Sequence, residues 1–232
     1  MRRRLLVVAG VAAVLLAGAA GAAYLYYFSG LRTAPPPLTL VTPSAGAAAA
    51  TPGTLAGRWT VAAGSQAGYR VSEQFVDQTS PHEAVARTTD VQGGFTLQEA
   101  GSDLKATGIS FTVGLAGLQS VDQVAGHNVT QRDGLVQRSL EVSRYPNATF
   151  TAADLALPAG ETAAKVNGSL TIHGVKRQVE FDIQGQIQGS QVSLAGSTTI
   201  DMRDFGVQPP QAPFVTPSSQ ARIEFSVILK KA

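Results

Sequence analysis

The sequence predicts an all-β domain over residues 55–232, because apolar and polar residues alternate along most of its length. The alternation is clearest at residues 109–113, 166–172, 179–183 and 223–227. A period of two is typical of half-buried antiparallel strands, and Gly-containing turns separate these runs. Seven or eight strands at this spacing predict a sandwich or a closed barrel, and periodicity alone does not distinguish the two.

One stretch of the domain, residues 120–142, departs from the alternation. Leu135, Val136, Leu140 and Val142 recur there at near-helical spacing, among clusters of polar residues. We therefore expect a loop that contains one or two short helices.

The first 28 residues predict a membrane segment. Arginines occupy residues 2–4, and the 24 residues from 5 to 28 carry no charge. A helix of this length crosses a hydrocarbon core of ~30 Å. We expect an uncleaved signal anchor, with a cleaved signal peptide as the alternative. Because positive charge stays in the cytoplasm, the domain is expected outside it, as part of a single-pass cell-membrane protein or, after cleavage, as a secreted one.

A flexible linker is predicted between this segment and the domain. Residues 29–54 contain five prolines and a run rich in alanine, with little to bury. Three consecutive prolines cannot continue a helix and favour an extended chain. The segment is therefore interpreted as a mobile stalk.

The distribution of charge excludes a nucleic-acid-binding domain. The formal net charge is +2, but four basic residues and no acidic ones lie in residues 1–54, which leaves 14 basic against 16 acidic residues in the remainder. A domain that binds nucleic acid concentrates Lys and Arg on one face. The absence of cysteine removes disulfides, thiolate metal sites and cysteine nucleophiles.

No pattern in the sequence indicates catalysis. The histidines, at residues 82, 127 and 173, have no metal-ligand spacing, so no metal site is predicted. The sequence lacks the G-x-S-x-G elbow of lipases, the G-x-G-x-x-G fingerprint and the P-loop. We expect a protein that is not an enzyme and has no cofactor.

Several strings occur in a characteristic order along the domain. They are Trp59-Thr60-Val61, the R-Y-P-N-A-T-F string at 144–150, the V-N-G-S-L-T-I-H-G-V string at 166–175 and the R-D-F-G-V string at 203–207. In order and spacing, over residues 59 to 229, the chain resembles the YceI-like family of polyisoprenoid-binding proteins. The resemblance implies a lipocalin-like antiparallel β-barrel of about eight strands with an elongated apolar cavity. It also implies an isoprenoid-type ligand, such as a polyprenyl lipid or a quinone.

The resemblance and the inward side of the alternation together nominate residues that line the cavity. These are Tyr69, Val71, Phe95, Phe111, Leu135, Leu140 and Phe150. In the family, the Arg-Asp pair that corresponds to Arg132-Asp133 is usually followed one residue later by His-Leu. Here Leu135 and Val136 follow Gly134, so the histidine is missing.

Two polar pairs are candidates for a structural or head-group role. They are Arg132 with Asp133 and Arg203 with Asp204. Each pair would contact a polar head group or form an ion pair that orders its loop, and we favour the ion pair.

Two functions from different classes follow from these observations. The first is the binding or carriage of a long-chain isoprenoid lipid outside the cytoplasm. The alternative is a ligand-free structural or protein-interaction barrel tethered to the membrane, because an eight-stranded barrel can be filled by its own side chains. The oligomeric state is left open.

Overall fold

A computed structural model describes most of the domain and a short part of the segment before it. The described residues are 18, 34–41, 55–101, 103–124, 127–158, 160–188, 190–210 and 212–232. None of the helices within these ranges has the length and hydropathy to cross a bilayer. The predicted signal anchor, residues 1–28, lies outside the described residues except for Gly18.

The described residues contain twelve strands, one α-helix and two 3₁₀ helices. The strands are β1 (Gly57–Val61), β2 (Gln66–Phe75), β3 (His82–Thr88), β4 (Val91–Ala100), β5 (Asp103–Gly114), β6 (Gln119–Ser120), β7 (Asn147–Ala152), β8 (Leu155–Leu157), β9 (Ala163–Ile172), β10 (Val175–Gln188), β11 (Gln191–Asp201) and β12 (Val215–Lys231). Helix α1 comprises Thr130–Ser139, and the 3₁₀ helices comprise Leu115–Gly117 and Met202–Phe205.

The strands form one closed, antiparallel ring. Strands β1 and β2 both pair with β12, so they are two parts of one long, interrupted strand. Strands β3 and β4 continue each other in the same way, and β7 and β8 both pair with β5. Eight long strands therefore follow one another around the ring, which closes where Trp59 of β1 pairs with Lys231 of β12. This confirms the predicted barrel and excludes the sandwich, whose two sheets would not join.

Helix α1 lies at one end of the ring, which we call the closed end. The β2–β3, β5–β7, β9–β10 and β11–β12 connections are also at this end. The β4–β5, β8–β9 and β10–β11 turns are at the opposite end, which we call the open end. The expectation of a short helix within residues 120–142 is confirmed.

Apolar side chains pack inside both ends of the barrel. Towards the open end, Trp59, Leu97 and Leu229 are buried in one cluster, and the Trp59 indole N–H donates a hydrogen bond to the carbonyl of Leu55 at 2.8 Å. At the closed end, Phe205 and Leu170 belong to a second cluster. The strands of the barrel alternate inward apolar positions with outward polar ones, which produces the period of two in the sequence.

Residues 34–41 belong to the predicted linker. They are extended and lie against the outer face of the barrel, where the carbonyl of Thr39 accepts a hydrogen bond from the Ser226 hydroxyl at 2.7 Å. Composition suggested that this stretch has nothing to bury. Composition does not reveal the main-chain donors and acceptors of this stretch, and these form hydrogen bonds with a charged surface of the barrel.

Gly93 provides a test of the close packing between β4 and β5. Its φ is +117°, and a Cβ atom there would lie 2.2 Å from the carbonyl oxygen of Ser110. We expect Gly93→Ala to lower the free energy of unfolding by about 2 kcal/mol, because it adds backbone strain and a steric clash. Urea unfolding monitored by circular dichroism measures this change.

Gly134→Ala is the matched control, because Gly134 lies within helix α1. A Cβ atom there would lie no closer than 3.6 Å to its nearest neighbour, the Arg138 guanidinium. Alanine should stabilise the helix by about 1 kcal/mol through its higher helix propensity. Equal stabilities for Gly93→Ala and the wild type would contradict this description of the β4–β5 contact.

Candidate functional site

An elongated cavity of about 630 Å³ occupies the interior of the barrel. Inward side chains of β2, β4, β5 and β7 to β12 form its wall, which is predominantly apolar. Small residues keep the interior from being filled; they include Ala67, Ala106, Ala148, Ala164 and Ala221. An eight-stranded barrel is just wide enough to be filled by side chains or to hold one small ligand, so these small residues favour the second outcome.

The structure places six of the seven predicted lining residues in the cavity wall. Tyr69 and Val71 come from β2, Phe95 from β4, Phe111 from β5 and Phe150 from β7. Leu140, which follows helix α1, is the sixth. Their contact with a ligand remains a prediction.

The seventh predicted residue, Leu135, is not among the residues that line the cavity. Its neighbour Val136 faces the cavity instead, together with Arg132 and Leu140. These three residues are spaced by four along α1 and its C-terminal end, so they share one helical face. The sequence showed the helical spacing of these residues, but it did not show which side of the helix faces the barrel.

The cavity reaches solvent at the open end. Several of its lining residues there are exposed, among them Pro158, Glu161, Thr162 and Ile187. At the closed end the lining includes Phe205 of the second 3₁₀ helix, which is buried, and Val136 of helix α1, which is half-buried. A ligand therefore has its entrance beside the β8–β9 and β10–β11 turns.

A cluster of charged side chains forms a polar floor at the closed end. Arg132 of α1 donates hydrogen bonds to Glu73 Oε2, at 2.9 Å from Nη1, and to Asp122 Oδ1. Asp122 Oδ2 lies 2.7 Å from His82 Nε2, and Asp122 Oδ1 also accepts a hydrogen bond from the Val85 amide at 3.0 Å. Glu73, His82 and Asp122 are at most 6% exposed. Because charges are buried here only with partners, the floor fastens α1 to β2 and β3.

The environment of the floor changes the pKa of two of its carboxyl groups, and burial changes that of the neighbouring Tyr69. Burial raises the pKa of Asp122, but hydrogen bonds from His82 and Arg132 outweigh it and hold that pKa at about 2. Burial raises the pKa of the Glu73 carboxyl, and the charge of Arg132 offsets only part of this effect. Burial likewise raises the pKa of the Tyr69 phenol, so Tyr69 stays neutral at physiological pH.

The other predicted polar residues act as local structural contacts. Asp133 Oδ1 accepts hydrogen bonds from the Ser120 hydroxyl at 2.6 Å and from the Ser120 amide at 3.0 Å, which orders the loop before α1. Arg203 does not pair with Asp204 as expected. Its Nε donates to Asp201 Oδ1 at 2.9 Å, and Asp204 is exposed. Asp201 also caps the 3₁₀ helix, because its Oδ1 accepts a hydrogen bond from the Arg203 amide at 3.0 Å.

Sequence reasoning missed Glu73, His82 and Asp122. Glu73 follows the alternation of β2 at an inward position, and this was the available signal, since an acidic residue at an apolar position requires a partner. Among the residues that the structure describes, no cluster of histidine and carboxylate side chains is arranged to hold a metal ion.

The chain belongs to the YceI-like family. The model of the YceI-like domain matches residues 59–229, which is nearly the whole barrel. The resemblance noted in the sequence is thus confirmed.

Curated relatives of the chain include bacterial proteins of the UPF0312 group. One from Pseudomonas putida strain W619 is 31% identical over 131 residues, which are 53% of this chain and 63% of that protein. One from Vibrio cholerae is 30% identical over 89 residues, covering 35% of this chain and 47% of the relative. The matches therefore span less than two thirds of the length of these relatives.

A solved structure shares the fold of the barrel. It is a polyisoprenoid binding domain from Saccharophagus degradans implicated in plant cell wall breakdown. The two superpose with a TM-score of 0.53 at 16% identity, over 75% of this chain and 98% of that domain. At this level of identity the likeness concerns the fold alone.

The polar floor predicts a pH-dependent stability. Because the pKa of Asp122 is about 2 in the folded protein against an ordinary value of 3.8, its charge stabilises the fold above pH 4. This contribution, about 2 kcal/mol, should be lost as the pH falls from about 4 to about 2. Asp122→Asn should remove that part of the pH dependence and lower stability at neutral pH by about 3 kcal/mol, because Arg132 and His82 lose a buried partner. Urea unfolding at a series of pH values measures both effects.

Asp182→Asn is the control for a carboxylate in an exposed pair. Asp182 is 74% exposed and lies 2.9 Å from Lys165 Nζ, so its loss should leave stability nearly unchanged. If the free energies of unfolding of the wild type and of Asp122→Asn changed in parallel with pH below pH 4, the role assigned to Asp122 would be contradicted.

Proposed function

We propose that this protein binds and carries a long-chain isoprenoid-type lipid, a polyprenyl lipid or a quinone, in its barrel. The observation that carries the proposal is the apolar cavity of about 630 Å³ that reaches solvent at the open end. Its volume lies within the ~300–1,000 Å³ range of small-molecule sites. The proposal is further supported by the family and by the ligand class for which the Saccharophagus degradans domain is named.

An elongated apolar cavity suits a flexible hydrocarbon chain. Moving such a chain out of water gains roughly 0.8 kcal/mol for each buried methylene. Aromatic rings of Phe111, Phe150 and Phe181 offer flat apolar surfaces along the wall. Binding of this kind requires no reactive side chain, so the lipid is released chemically unchanged.

The charge of the polar floor favours a neutral group at the closed end. Arg132 pairs with two carboxylates, those of Glu73 and Asp122. Its positive charge is therefore already neutralised and does not attract an added anion. A phosphate at the floor would be repelled by these carboxylates. We therefore infer that the end of the ligand at the floor is neutral, either the hydrocarbon terminus or an uncharged head group, and that any charged head group stays at the open end.

The proposed site of action is outside the cytoplasm, with the barrel tethered to the membrane. The support is the arginine-flanked apolar stretch at residues 1–28. Tethering would keep the barrel close to the membrane that contains its ligand. A secreted form is the outcome if the segment is cleaved.

The ligand-free alternative and a catalytic role both have less support. A barrel that serves only as a structural module can fill its interior, whereas small residues leave this one open. The two titratable side chains of the floor that line the cavity, Arg132 and Glu73, are hydrogen-bonded to each other. A general acid or base needs a free position within reach of its substrate, so we propose a binding protein and not an enzyme.

Closing the cavity with a bulky side chain tests the proposed function. Ala164 of β9 lines the cavity near the open end, so Ala164→Trp should block the path of the ligand. The full-length protein, purified from membranes and washed, is extracted with organic solvent, and isoprenoid lipids are quantified by mass spectrometry per mole of protein. We expect near-stoichiometric lipid for the wild type and at least tenfold less for Ala164→Trp.

Asn167→Trp is the matched control on the same strand. Asn167 is exposed and points outward, so this variant carries the same added ring without entering the cavity. It should retain wild-type lipid. Equal amounts of lipid in all three proteins would indicate that the lipid was carried over from the membrane and not bound in the cavity. This result would count against the proposed function.

A further inference from the structure

A charged cluster lies on the outer face of the barrel, beneath residues 34–41. Glu224 of β12 accepts hydrogen bonds from Arg70 Nε at 2.8 Å and from Arg87 Nη2 at 3.1 Å. Glu224 and Arg70 are only 1% and 3% exposed, although their chain neighbours Ile223 and Tyr69 face the cavity, so both side chains point outward. Outward charges on a barrel are normally in water, and here residues 34–41, which we call the strap, cover them.

The donors and acceptors of the strap match those of the cluster. The carbonyls of Pro35 and Pro36 accept hydrogen bonds from Arg70 Nη2 at 2.7 Å and Arg87 Nη2 at 2.5 Å. Proline has no N–H, so consecutive prolines present only acceptors, which suits arginine donors. The first amide after the prolines, that of Leu38, donates to Glu224 Oε2 at 3.2 Å. This face is therefore built to receive an extended, proline-rich segment of the chain.

The strap has a defined direction along the barrel. Leu38 contacts Glu224 and Thr39 contacts Ser226, two residues further along β12 towards the open end. Going backwards along the strap, Pro35 contacts Arg70, which pairs with Arg222 nearer the closed end. Followed from Thr39 back to Pro35, the strap therefore runs along the barrel wall towards the closed end.

Chain length determines which end of the barrel can lie next to the predicted anchor. From residue 28 to residue 34 an extended chain spans at most about 22 Å. Strands of an eight-stranded barrel tilt by about 40° from its axis, so along the axis Phe75 at the closed end lies about 13 Å from the level of Arg70, and Lys231 at the open end lies about 23 Å from the level of Arg222. A docked strap thus leaves the closed end well within reach of the membrane and the open end at or beyond the limit of the chain.

The closed end also presents apolar side chains to solvent. Val76 is 75% exposed and Phe214 is 45% exposed, and the Val76 amide donates to the Phe214 carbonyl at 3.1 Å, which holds them side by side. The Phe214 ring stacks on the His127 ring with centroids 5.7 Å apart. Exposed apolar side chains next to a membrane-directed chain fit the interface of a lipid bilayer.

We propose that the docked strap holds the closed end of the barrel against the lipid surface and turns the open end away from the membrane. This proposal deepens the proposed function and depends on its membrane anchor. It implies that bound lipid is exchanged on the side facing away from the anchoring membrane, and that release of the strap is needed for the open end to reach that membrane. Undocked, the 26 residues from 29 to 54 are long enough for such a reorientation.

Single fluorescent labels on the full-length protein test this orientation, since the chain has no cysteine of its own. Val76→Cys labels the closed end and Ser190→Cys labels the β10–β11 turn of the open end; both positions are exposed. The proteins are placed in nanodiscs of phosphatidylcholine and phosphatidylglycerol that contain a lipid-chain quencher. We expect at least threefold stronger quenching at position 76 than at position 190. Equal quenching, or stronger quenching at position 190, would overturn the proposal.

Leu38→Pro tests whether the strap causes the orientation. It removes the amide that donates to Glu224 and keeps the extended backbone, without altering the barrel. We expect the ratio of quenching between the two positions to fall to near one. Pro37→Ala, at an exposed position of the same strap, should keep the wild-type ratio. An unchanged ratio in Leu38→Pro would show that the strap does not orient the barrel.

Lipid extraction from the same nanodisc samples separates this proposal from the proposed function. Retained isoprenoid lipid with equal quenching at the two ends would overturn the orientation alone. Unequal quenching in a protein that holds no isoprenoid would support the orientation and count against the lipid carrier.

Discussion

The closed end of the barrel depends on Arg132. Its guanidinium contacts both Glu73 of β2 and Asp122 of the loop before α1, and through these contacts the helix is held across the ring. The interior is largely empty, so side-chain packing in the middle of the barrel cannot hold the helix in place. Buried, paired charges provide a fixed attachment, since any displacement of the helix would leave a carboxylate in the interior without a partner.

Strand β2 serves two purposes with its two faces. Tyr69, Val71 and Glu73 point inward and form wall and floor of the cavity, whereas Arg70 points outward and binds Glu224 and the strap. Because successive side chains of a strand alternate between faces, a ligand in the cavity and the strap outside contact adjacent residues of one strand. The cavity and the strap are thus separated only by the thickness of strand β2.

The two buried charge clusters differ in what covers them. The polar floor is enclosed by elements of the barrel and α1, so it is part of the folded domain. The outer cluster of Arg70, Arg87 and Glu224 is covered by a segment that precedes the domain in sequence. Burying a charge costs much less free energy when the charge is paired. When the strap leaves, the charges beneath it are returned to water at a small cost in free energy. This contrast makes the strap the more easily displaced of the two.

The sequence by itself determined the strands, the barrel and most of the cavity wall. Alternation of apolar and polar residues is a local property, so Phe111 and Phe150 could be assigned to the interior without knowledge of their neighbours. The family motifs then selected a barrel over a sandwich, and the small inward residues that leave the cavity open were already present in the composition of the strands.

Only the tertiary structure decided which distant polar residues meet. Glu73, Asp122 and Arg132 converge from three elements, and no spacing in the sequence encodes that convergence. The rotation of α1, which turns Val136 to the cavity in place of Leu135, is set by the bonds of Arg132. The docking of the strap is likewise invisible in a proline-rich stretch, because its affinity comes from main-chain groups that every sequence possesses and from an arginine pair that strand pairing assembles.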